Sequence, residues 1–374
     1  MKTIRQLLYK EILIAVGFVT LGFLALFFFF DFVDELRWVG NGGNNGVGGY
    51  QVTHALMVVG LMVPSHLYEL LPITVLIGTI FVMARLAQSS EYTILRTSGL
   101  GPWRALHTLL VLGLAFVVLT FAIGDYLAPV SGRAAQLIKA RFQGGITIGQ
   151  TGAWLKEKQA DHSFAANVSA LGAQGKMQGV RIFEFDQNGL LVALMHAESG
   201  EFAGDGAWTL NNVERSRFHT QDTQTTNTAS VERQRLPTYR WPTEISPEMV
   251  TTALLKPDRM ATLDLFQYIR HLNANGQSAQ RYEIEFWRKV FYPLSCLVMV
   301  VLALPFAYLH FRAGGITTYV FGGVMAGISF FLLNNVFGYI GNLQNWQPWL
   351  TAAAPGFIYS MLSLAAFSWL VLRR

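Results

Sequence analysis

The polar segment at residues 85–104 carries the side chains best suited to binding a partner protein. It reads RLAQSSEYTILRTSGLGPWR and lies between two strongly apolar stretches. Ser89 or Ser90 can cap a short helix there, and Gly99 can end it. Such a helix is a natural docking element for a soluble protein, the alternative being an ordinary loop helix lying on lipid headgroups. It places four side chains within two turns: Glu91, Tyr92, Leu95 and Arg96.

Motifs for catalysis or nucleotide binding are missing. A phosphate-binding loop needs Gly-x-x-x-x-Gly-Lys followed by Ser or Thr, so that amides hold the phosphates and the hydroxyl binds magnesium. The one Gly-Lys pair, Gly175-Lys176, is followed by Met177, and Ala170 stands where the first glycine belongs. No His-Glu-x-x-His and no cysteine cluster occurs. The sequence therefore excludes a P-loop ATPase and predicts no metal site.

The composition is that of a membrane protein. Of 374 residues, 52% are hydrophobic and 14% are charged, with a mean hydropathy of +0.34, whereas soluble domains carry about 25% charged residues. Residues 313–372 contain no Asp, Glu, Lys or Arg. The net charge of +5 comes from dispersed basic residues, which argues against nucleic acid as a partner.

Six stretches are long and apolar enough to cross a bilayer, which takes about 20 helical residues. The first ends in Asp31-Phe32-Val33-Asp34-Glu35 and lacks the small-residue cleavage site of a signal peptide. Glu69, inside the second, is either a functional intramembrane acid or a residue that reaches the outer interface. The predicted spans are Ile12–Phe30, Ala55–Ala84, Ala105–Ile123, Val290–Leu309, Gly314–Tyr339 and Trp349–Leu372.

The short loops predict the orientation, because cytoplasmic loops carry an excess of Lys and Arg. On the side opposite the cytoplasm, the first short loop has only one basic residue, Arg37. Both termini are therefore expected in the cytoplasm and the middle segment outside the membrane. The basic residues on the cytoplasmic side are Lys2, Arg5, Lys10, Arg85, Arg96, Arg104, Arg312, Arg373 and Arg374.

The segment from Phe142 to Glu244 is polar and predicts an inserted all-β domain. Asn188-Gly189 between two apolar runs is a strong hairpin signal. Many short strands with turns favour a sandwich or jelly roll, whose open edge either accepts another chain's strand or is capped. Predicted strands are Trp154–Lys156, Ser163–Val168, Gly179–Phe185, Leu190–Met195, Gly200–Ala203 and Ala207–Leu210.

After this domain, helical spacing recurs in the apolar residues Leu263, Phe266, Ile269 and Leu272. The segment Thr262–Asn273 is therefore predicted to form an interfacial helix, which Thr262 could cap. The predicted fold class is an α-helical membrane protein with six transmembrane helices, three and three, around a periplasmic jellyroll-like domain. Its parts are residues 1–140 with a cytoplasmic helix at about 88–99, residues 141–260, and residues 261–374.

Three motifs together resemble the LptF/LptG family of lipopolysaccharide-export permeases. They are SSEYTILRTSGLGPWR at 89–104, YEIEFWRKVFYPLS at 282–295 running into Ala303-Leu304-Pro305-Phe306, and FVDELRWVG at 32–40. The last is more similar to the LptG branch than to LptF, a choice that rests on short motifs. The order of spans, β domain and amphipathic helix is also similar, and the resemblance covers essentially the whole chain.

The resemblance implies a permease subunit of an ABC transporter in the Gram-negative inner membrane. In this family LptF and LptG form a heterodimer, and two copies of the ATPase LptB dock on the coupling helices. Lipopolysaccharide leaves the outer leaflet of the inner membrane and passes to LptC and LptA. ATP and magnesium belong to LptB, so this chain is expected to be non-catalytic and to hold no cofactor.

For the anionic phosphates, the resemblance points to basic residues beside the spans. Arg37 follows the first span where the family carries basic residues, and Lys139 matches a basic position after the third span, with Arg133 nearby. Each such cation contributes about 1 kcal/mol in an exposed setting. From the residues alone, the alternative is that they only anchor helix ends by snorkelling.

For the acyl chains, the candidates are apolar residues of the first, second and fifth spans. Gly323 and Gly327 permit close helix approach, either as a sliding gate against the partner permease or as internal packing. At the coupling helix, the resemblance assigns Glu91 to the acidic position that faces a basic groove on LptB. The apolar candidates are Leu26, Phe30, Leu70, Val324, Ile328 and Phe331.

Two other functions remain open from the residues. An ion-driven secondary transporter should show repeated halves and broken helices, and the two halves here show no obvious similarity. An adaptor that recruits periplasmic partners would not need a cytoplasmic docking helix.

Overall fold

The computed structural model describes residues 2–40, 49–143, 152–159, 161–172, 175–223, 226–253, 257–308 and 316–369. Arg312, Arg373 and Arg374, used above for orientation, lie outside the described residues, as do the start of the predicted fifth span and the end of the sixth.

Six helical segments within these ranges are long and apolar enough to cross a membrane, as predicted. Each begins or ends beyond its apolar stretch, because a helix can continue into polar residues while its backbone groups remain paired. The segments are Ile4–Leu36, Val52–Gln88, Pro102–Lys139, Gln280–Tyr308, Thr317–Leu343 and Pro348–Phe367.

The helices that build these segments are α1 (Lys2–Leu36), α2 (Val52–Gln88), α4 (Pro102–Ala122), α5 (Ala128–Gln143), α8 (Gln280–Phe291), α9 (Ser295–Ala303), α10 (Ile316–Leu343) and α11 (Pro348–Phe367). A π-helical turn at Ile123–Leu127 joins α4 to α5, and 3₁₀ turns at Tyr292–Leu294 and Leu304–Tyr308 flank α9. The shorter helices are α3 (Glu91–Thr97), α6 (Pro247–Ala253) and α7 (Thr262–Ala274).

The chain forms two compact units. The first takes in Met1–Asp34, Val59–Ser131 and Gln280–Arg374, and the second Glu35–Val58 and Gly132–Ala279. In the first unit α1 and α2 approach closely at Gly78, where an added Cβ would lie 2.7 Å from the backbone nitrogen of Val16. On the same pair of helices, the Thr20 hydroxyl donates to that of Thr74 across 2.9 Å.

The second unit holds an antiparallel sheet whose described strands follow chain order, β1 to β6. Their bounds are β1 Ala153–Lys158, β2 Ser163–Leu171, β3 Met177–Phe185, β4 Leu191–Phe202, β5 Ala207–Thr223 and β6 Thr226–Pro242. The predicted inserted β domain is confirmed. Each described strand pairs with its neighbour in sequence, whereas the Greek keys of a jelly roll would also pair non-consecutive strands.

The turn chemistry between β3 and β4 explains why these two strands pair directly. At the predicted Asn-Gly hairpin, Asp186 Oδ1 accepts from the amides of Asn188 (2.9 Å) and Leu190 (2.8 Å). Gly189 adopts a φ of +79°, in the left-handed region that favours glycine.

Several details differ from the predictions, among them β5, which continues to Thr223 beyond the predicted end at Leu210. The separately predicted strands Leu190–Met195 and Gly200–Ala203 belong to one continuous strand, β4, because Ala197–Gly200 keeps the ladder with β5. Strand β6 was not predicted, because its Val-Glu-Arg-Gln-Arg stretch has no apolar face and is exposed. Helix α7 confirms the predicted helix, but its N-cap is Ala261 and Thr262 is the first helical residue.

Candidate functional site

The predicted docking helix is present as α3, and its ends are set by backbone conformation. It stops in a Schellman motif: Gly99 has a φ of +102° and its amide donates to Arg96 O (3.1 Å), while the Leu100 amide donates to Leu95 O (3.0 Å). Of the two predicted capping serines, Ser90 occupies the N-cap position, but the expected side-chain capping bond is not formed. Ser90 lies in the left-handed region, and the Ser89 hydroxyl donates to Leu86 O.

Aromatic packing fixes α3 to the rest of the first unit. Tyr92 is buried, and its ring meets Tyr308 edge-on with centroids 5.2 Å apart. The Arg96 guanidinium lies over the Tyr308 ring at 5.7 Å, and Leu95 packs against the core that contains Tyr92. Burial raises the pKa of Tyr92, so its hydroxyl stays protonated at neutral pH. A displacement of α3 must therefore also move the residues that hold it.

The outward face of α3 carries Glu91 and Ile94. Glu91 is exposed in the first turn, and Ile94 is 63% exposed one turn later on the same side. Of the four predicted docking residues, the structure exposes Glu91 and Arg96, half-buries Leu95 and makes Tyr92 an anchor. An exposed acid beside an exposed apolar side chain fits contact with a protein groove better than contact with anionic headgroups.

The basic residues predicted to bind phosphate lie in the second unit. Arg37 is exposed in the turn that follows α1. Arg133 forms an ion pair with Asp264, in the first turn of α7. Both side chains are partly exposed, so this ion pair contributes little to the stability of the fold.

Lys139 is held by an acid that the sequence prediction did not use. Its ammonium forms an ion pair with Glu35 Oε1, and the other carboxylate oxygen, Oε2, accepts a hydrogen bond from the Tyr50 hydroxyl at 3.0 Å. The rings of Tyr50 and His54 lie 5.4 and 4.5 Å from Phe142. Burial and the Glu35 carboxylate raise the pKa of Tyr50, so Tyr50 remains the donor.

The apolar candidates differ in their exposure. Leu70 is buried in the first unit, Val324 is half-buried, and the other four are exposed on its surface. Exposed apolar side chains on spans contact lipid, a partner subunit or an acyl-chain ligand. The four exposed residues are Leu26, Phe30, Ile328 and Phe331.

The two glycines of α10 serve internal packing. A Cβ added at Gly323 would lie 2.6 Å from Ile80 Cδ1, and one at Gly327 would lie 2.9 Å from Ile73 Cγ2. Both neighbours belong to α2. Of the two open alternatives, the structure thus places this motif against α2 of the same chain.

Several residues of the site were missed by sequence reasoning. Ile94 had a usable signal, because it stands three residues after Glu91 and so shares its face. Glu35 and Tyr308 had no such signal in the sequence. Glu35 pairs with Lys139 and Tyr308 packs on Tyr92, and both partners are distant along the chain. Glu69, left open above, is exposed, and its backbone carbonyl accepts from the Tyr292 hydroxyl at 2.5 Å.

The described segments define a polytopic membrane protein with an inserted antiparallel β domain and a short helix, α3, that packs on its core. A family model described as lipopolysaccharide export system permease LptF/LptG matches residues 6–373. The chain belongs to the LptF/LptG family and is a multi-pass inner-membrane protein of the lipopolysaccharide export system.

Curated relatives agree over the same length. The chain is 27% identical over 375 residues to the lipopolysaccharide export system permease protein LptG of Haemophilus influenzae, covering 100% of this chain and 99% of that relative. It is also 27% identical over 346 residues to the protein of that name in Escherichia coli K12, covering 92% and 90% of the two chains.

Proposed function

We propose that this chain is the LptG-type permease subunit of an ATP-driven exporter that extracts lipopolysaccharide from the outer leaflet of the inner membrane. The observation that carries the proposal is the family match over residues 6–373. The LptG assignment is supported by the relatives named above, both of which are LptG proteins.

In this proposal the chain is a non-catalytic subunit without a cofactor of its own. ATP and magnesium are bound by two copies of LptB, LptF is the second permease, and LptC and LptA receive the lipid. Both termini are cytoplasmic and the β domain is periplasmic. Arg5, Arg85 and Arg104 on one side, against Arg37 on the other, support that orientation.

Helix α3 transmits movement between LptB and the spans. Glu91 and Ile94 meet the ATPase, and Tyr92 passes its displacement to the chain segment that contains Tyr308. The support is the division of α3 into an exposed face and a face packed on the core. Lipopolysaccharide phosphates are met by Arg37, Arg133 and Lys139, and the acyl chains by the apolar candidates.

The first experiment is a mild-detergent pull-down of the tagged chain from its native membrane with mass spectrometry of the bound proteins. The expected result is a second permease, a soluble P-loop ATPase and bound lipopolysaccharide. A chain that purifies alone, even after crosslinking, would contradict the exporter assignment.

The second experiment separates docking from folding. Glu91→Lys should abolish recovery of the ATPase while the permease heterodimer still forms. Thr93→Lys is the matched control, because Thr93 is also exposed and receives the same charge, but residues two apart do not share a helix face. Equal ATPase recovery from both variants would remove the role of Glu91.

The third experiment addresses the phosphates. Arg37→Glu should weaken photocrosslinking to lipopolysaccharide without loss of ATPase recovery, and Arg181→Glu, an exposed position of β3, should leave crosslinking unchanged. Unaltered crosslinking in Arg37→Glu would refute the contribution of this cation.

A further inference from the structure

A groove lies between the N-terminal turns of α1 and α4 in the first unit. Its volume is about 510 Å³, within the range of about 300–1,000 Å³ that is typical of ligand pockets. The Tyr9 hydroxyl on α1 donates to the backbone carbonyl of Thr108 on α4 across 3.2 Å. Because Thr108 lines the groove, this bond joins the two helices at the groove wall.

The polar wall of the groove is cationic. Arg5 on α1 and Arg104 on α4 are both exposed, and His107, one turn after Arg104, adds an imidazole. Arg104 Nη1 donates to the Gly99 carbonyl at 3.1 Å, and a guanidinium has five donors, so others remain for a ligand. None of the described residues that line the groove is Asp or Glu. The wall therefore suits an anion with oxygen acceptors, such as a phosphate.

The opposite character appears in the rest of the lining, which is apolar. It consists of Ile4, the buried Leu100 and Trp103, which is 66% exposed. The Trp103 ring meets the buried Phe367 edge-on with centroids 5.9 Å apart, so the indole is held in place although most of it is open. A free phosphate would leave this apolar surface uncovered, whereas a phospholipid covers it with the first carbons of its acyl chains. The lining thus matches an amphiphilic anion.

The groove lies at the ends of two spans, where lipid headgroups are found. Arg5 precedes the first predicted span, Ile12–Phe30, and Arg104 directly precedes the third, which begins at Ala105. In the proposed function this end of the spans faces the cytoplasm, and basic pockets between spans on that side bind anionic headgroups. A zwitterionic headgroup carries its own ammonium beside the phosphate, so two guanidinium groups attract it less.

We propose that this groove binds an anionic phospholipid of the cytoplasmic leaflet, with Arg5 and Arg104 holding its phosphodiester and Trp103 its first acyl carbons. The inference rests on the proposed function only for the side of the membrane that the groove faces. It goes beyond that function, because this lipid is bound and not exported. Since Arg104 is bonded to Gly99, which ends α3, the lipid lies beside the end of that helix.

The test measures lipid binding by the full chain, purified in an uncharged detergent with the subunits that accompany it. Phosphatidylglycerol and phosphatidylcholine with the same acyl chains compete, and native mass spectrometry identifies the lipid retained. The wild type should prefer phosphatidylglycerol. Arg5→Gln should lower the affinity for phosphatidylglycerol about fivefold, the contribution of one cation near headgroups, and leave that for phosphatidylcholine unchanged. Arg5→Lys keeps the charge and should keep the preference.

Lys10→Gln is the matched control. Lys10 is exposed on the same helix, and its replacement also removes one positive charge, but Lys10 is not among the described residues that line the groove. It lies five positions after Arg5 and so about 140° around the helix. Its variant should bind phosphatidylglycerol as the wild type does. The water-soluble headgroup glycerophosphoglycerol, at the same concentration as the lipid, should not displace it.

Equal losses of phosphatidylglycerol affinity in Arg5→Gln and Lys10→Gln would overturn the inference, because the attraction would then belong to the whole basic surface. Displacement by the soluble headgroup would overturn it in favour of a free phosphate. Loss of an accompanying subunit from Arg5→Gln would show that a protein surface fills the groove. These outcomes leave the proposed function intact, whereas a chain that purifies without an ATPase contradicts that function and leaves the lipid affinities unaffected.

Discussion

The ammonium of Lys289 donates a hydrogen bond to the backbone carbonyl of Gly124, 3.0 Å away inside the first unit. Lys289 is 5% exposed and belongs to α8, whereas Gly124 lies in the π-helical turn between α4 and α5. A π-turn breaks the regular α-helical hydrogen-bond pattern, and here a side chain from another span serves a carbonyl of that turn. The ammonium also stands over the Tyr68 ring, 5.8 Å from its centroid.

Replacing Lys289 should destabilise the first unit. Lys289→Met keeps an unbranched side chain, one atom shorter, and removes the donor, so the Gly124 carbonyl loses this hydrogen bond in a medium without water. We expect a loss of about 1–3 kcal/mol in the free energy of unfolding, measured by denaturant titration in micelles. Val290→Met, at the neighbouring exposed position, should be nearly neutral, and equal stability of the two variants would contradict this account.

The contact between α1 and α2 should not tolerate a methyl group at Gly78. An alanine there would press its Cβ against the nitrogen and Cα of Val16, at 2.7 and 2.8 Å, so the two helices must separate. We expect Gly78→Ala to cost about 1–3 kcal/mol in the same titration. Gly60→Ala on the same helix meets nothing within 4 Å and should be neutral or stabilising, since alanine favours the helix by about 1 kcal/mol.

The anchoring role of Tyr92 can be separated from docking. Tyr92→Ala removes a buried ring and should lower stability by about 3 kcal/mol. Its complex should retain the ATPase in a pull-down but lose the link between ATP hydrolysis and lipid release in proteoliposomes. Tyr92→Phe keeps the edge-on contact with Tyr308 and should remain coupled. Full coupling in Tyr92→Ala would show that α3 transmits movement by another route.

The second unit should lose stability in mild acid through His271. Burial lowers the pKa of this histidine, although Glu157 and Glu244 act in the opposite direction. The unfolded chain, with a histidine pKa of about 6.5, therefore takes up the proton before the folded chain does. The contribution of His271 is fully present above that pH and is lost as pH falls toward the lowered folded value.

The measurement is the melting temperature of the full chain as a function of pH. The fall in melting temperature below about pH 6.5 should be smaller in His271→Gln than in the wild type. His196→Gln, at an exposed position of β4, serves as the control and should keep the wild-type pH dependence. Identical pH profiles for His271→Gln and the wild type would contradict this assignment.

Local signals in the sequence determined much of this protein. Apolar runs predicted the spans, because a bilayer demands that length and that composition wherever the chain crosses. The Asn-Gly pair predicted a hairpin and Gly99 predicted the end of α3, because each depends on the conformation of a few consecutive residues. The helical spacing of Leu263, Phe266 and Leu272 predicted α7 for the same reason.

Only the tertiary structure decided the roles of the charged and aromatic side chains. The ion pair between Lys139, predicted as a phosphate ligand, and Glu35 was not visible in the sequence, nor was the packing of Tyr92, predicted as a docking residue, against Tyr308. The exposed Val231–Arg235 stretch of β6 has no apolar face of its own and takes its place in the sheet by pairing with β5. Such interactions join residues that are distant along the chain, and their free energy exists only when the fold brings the partners into contact.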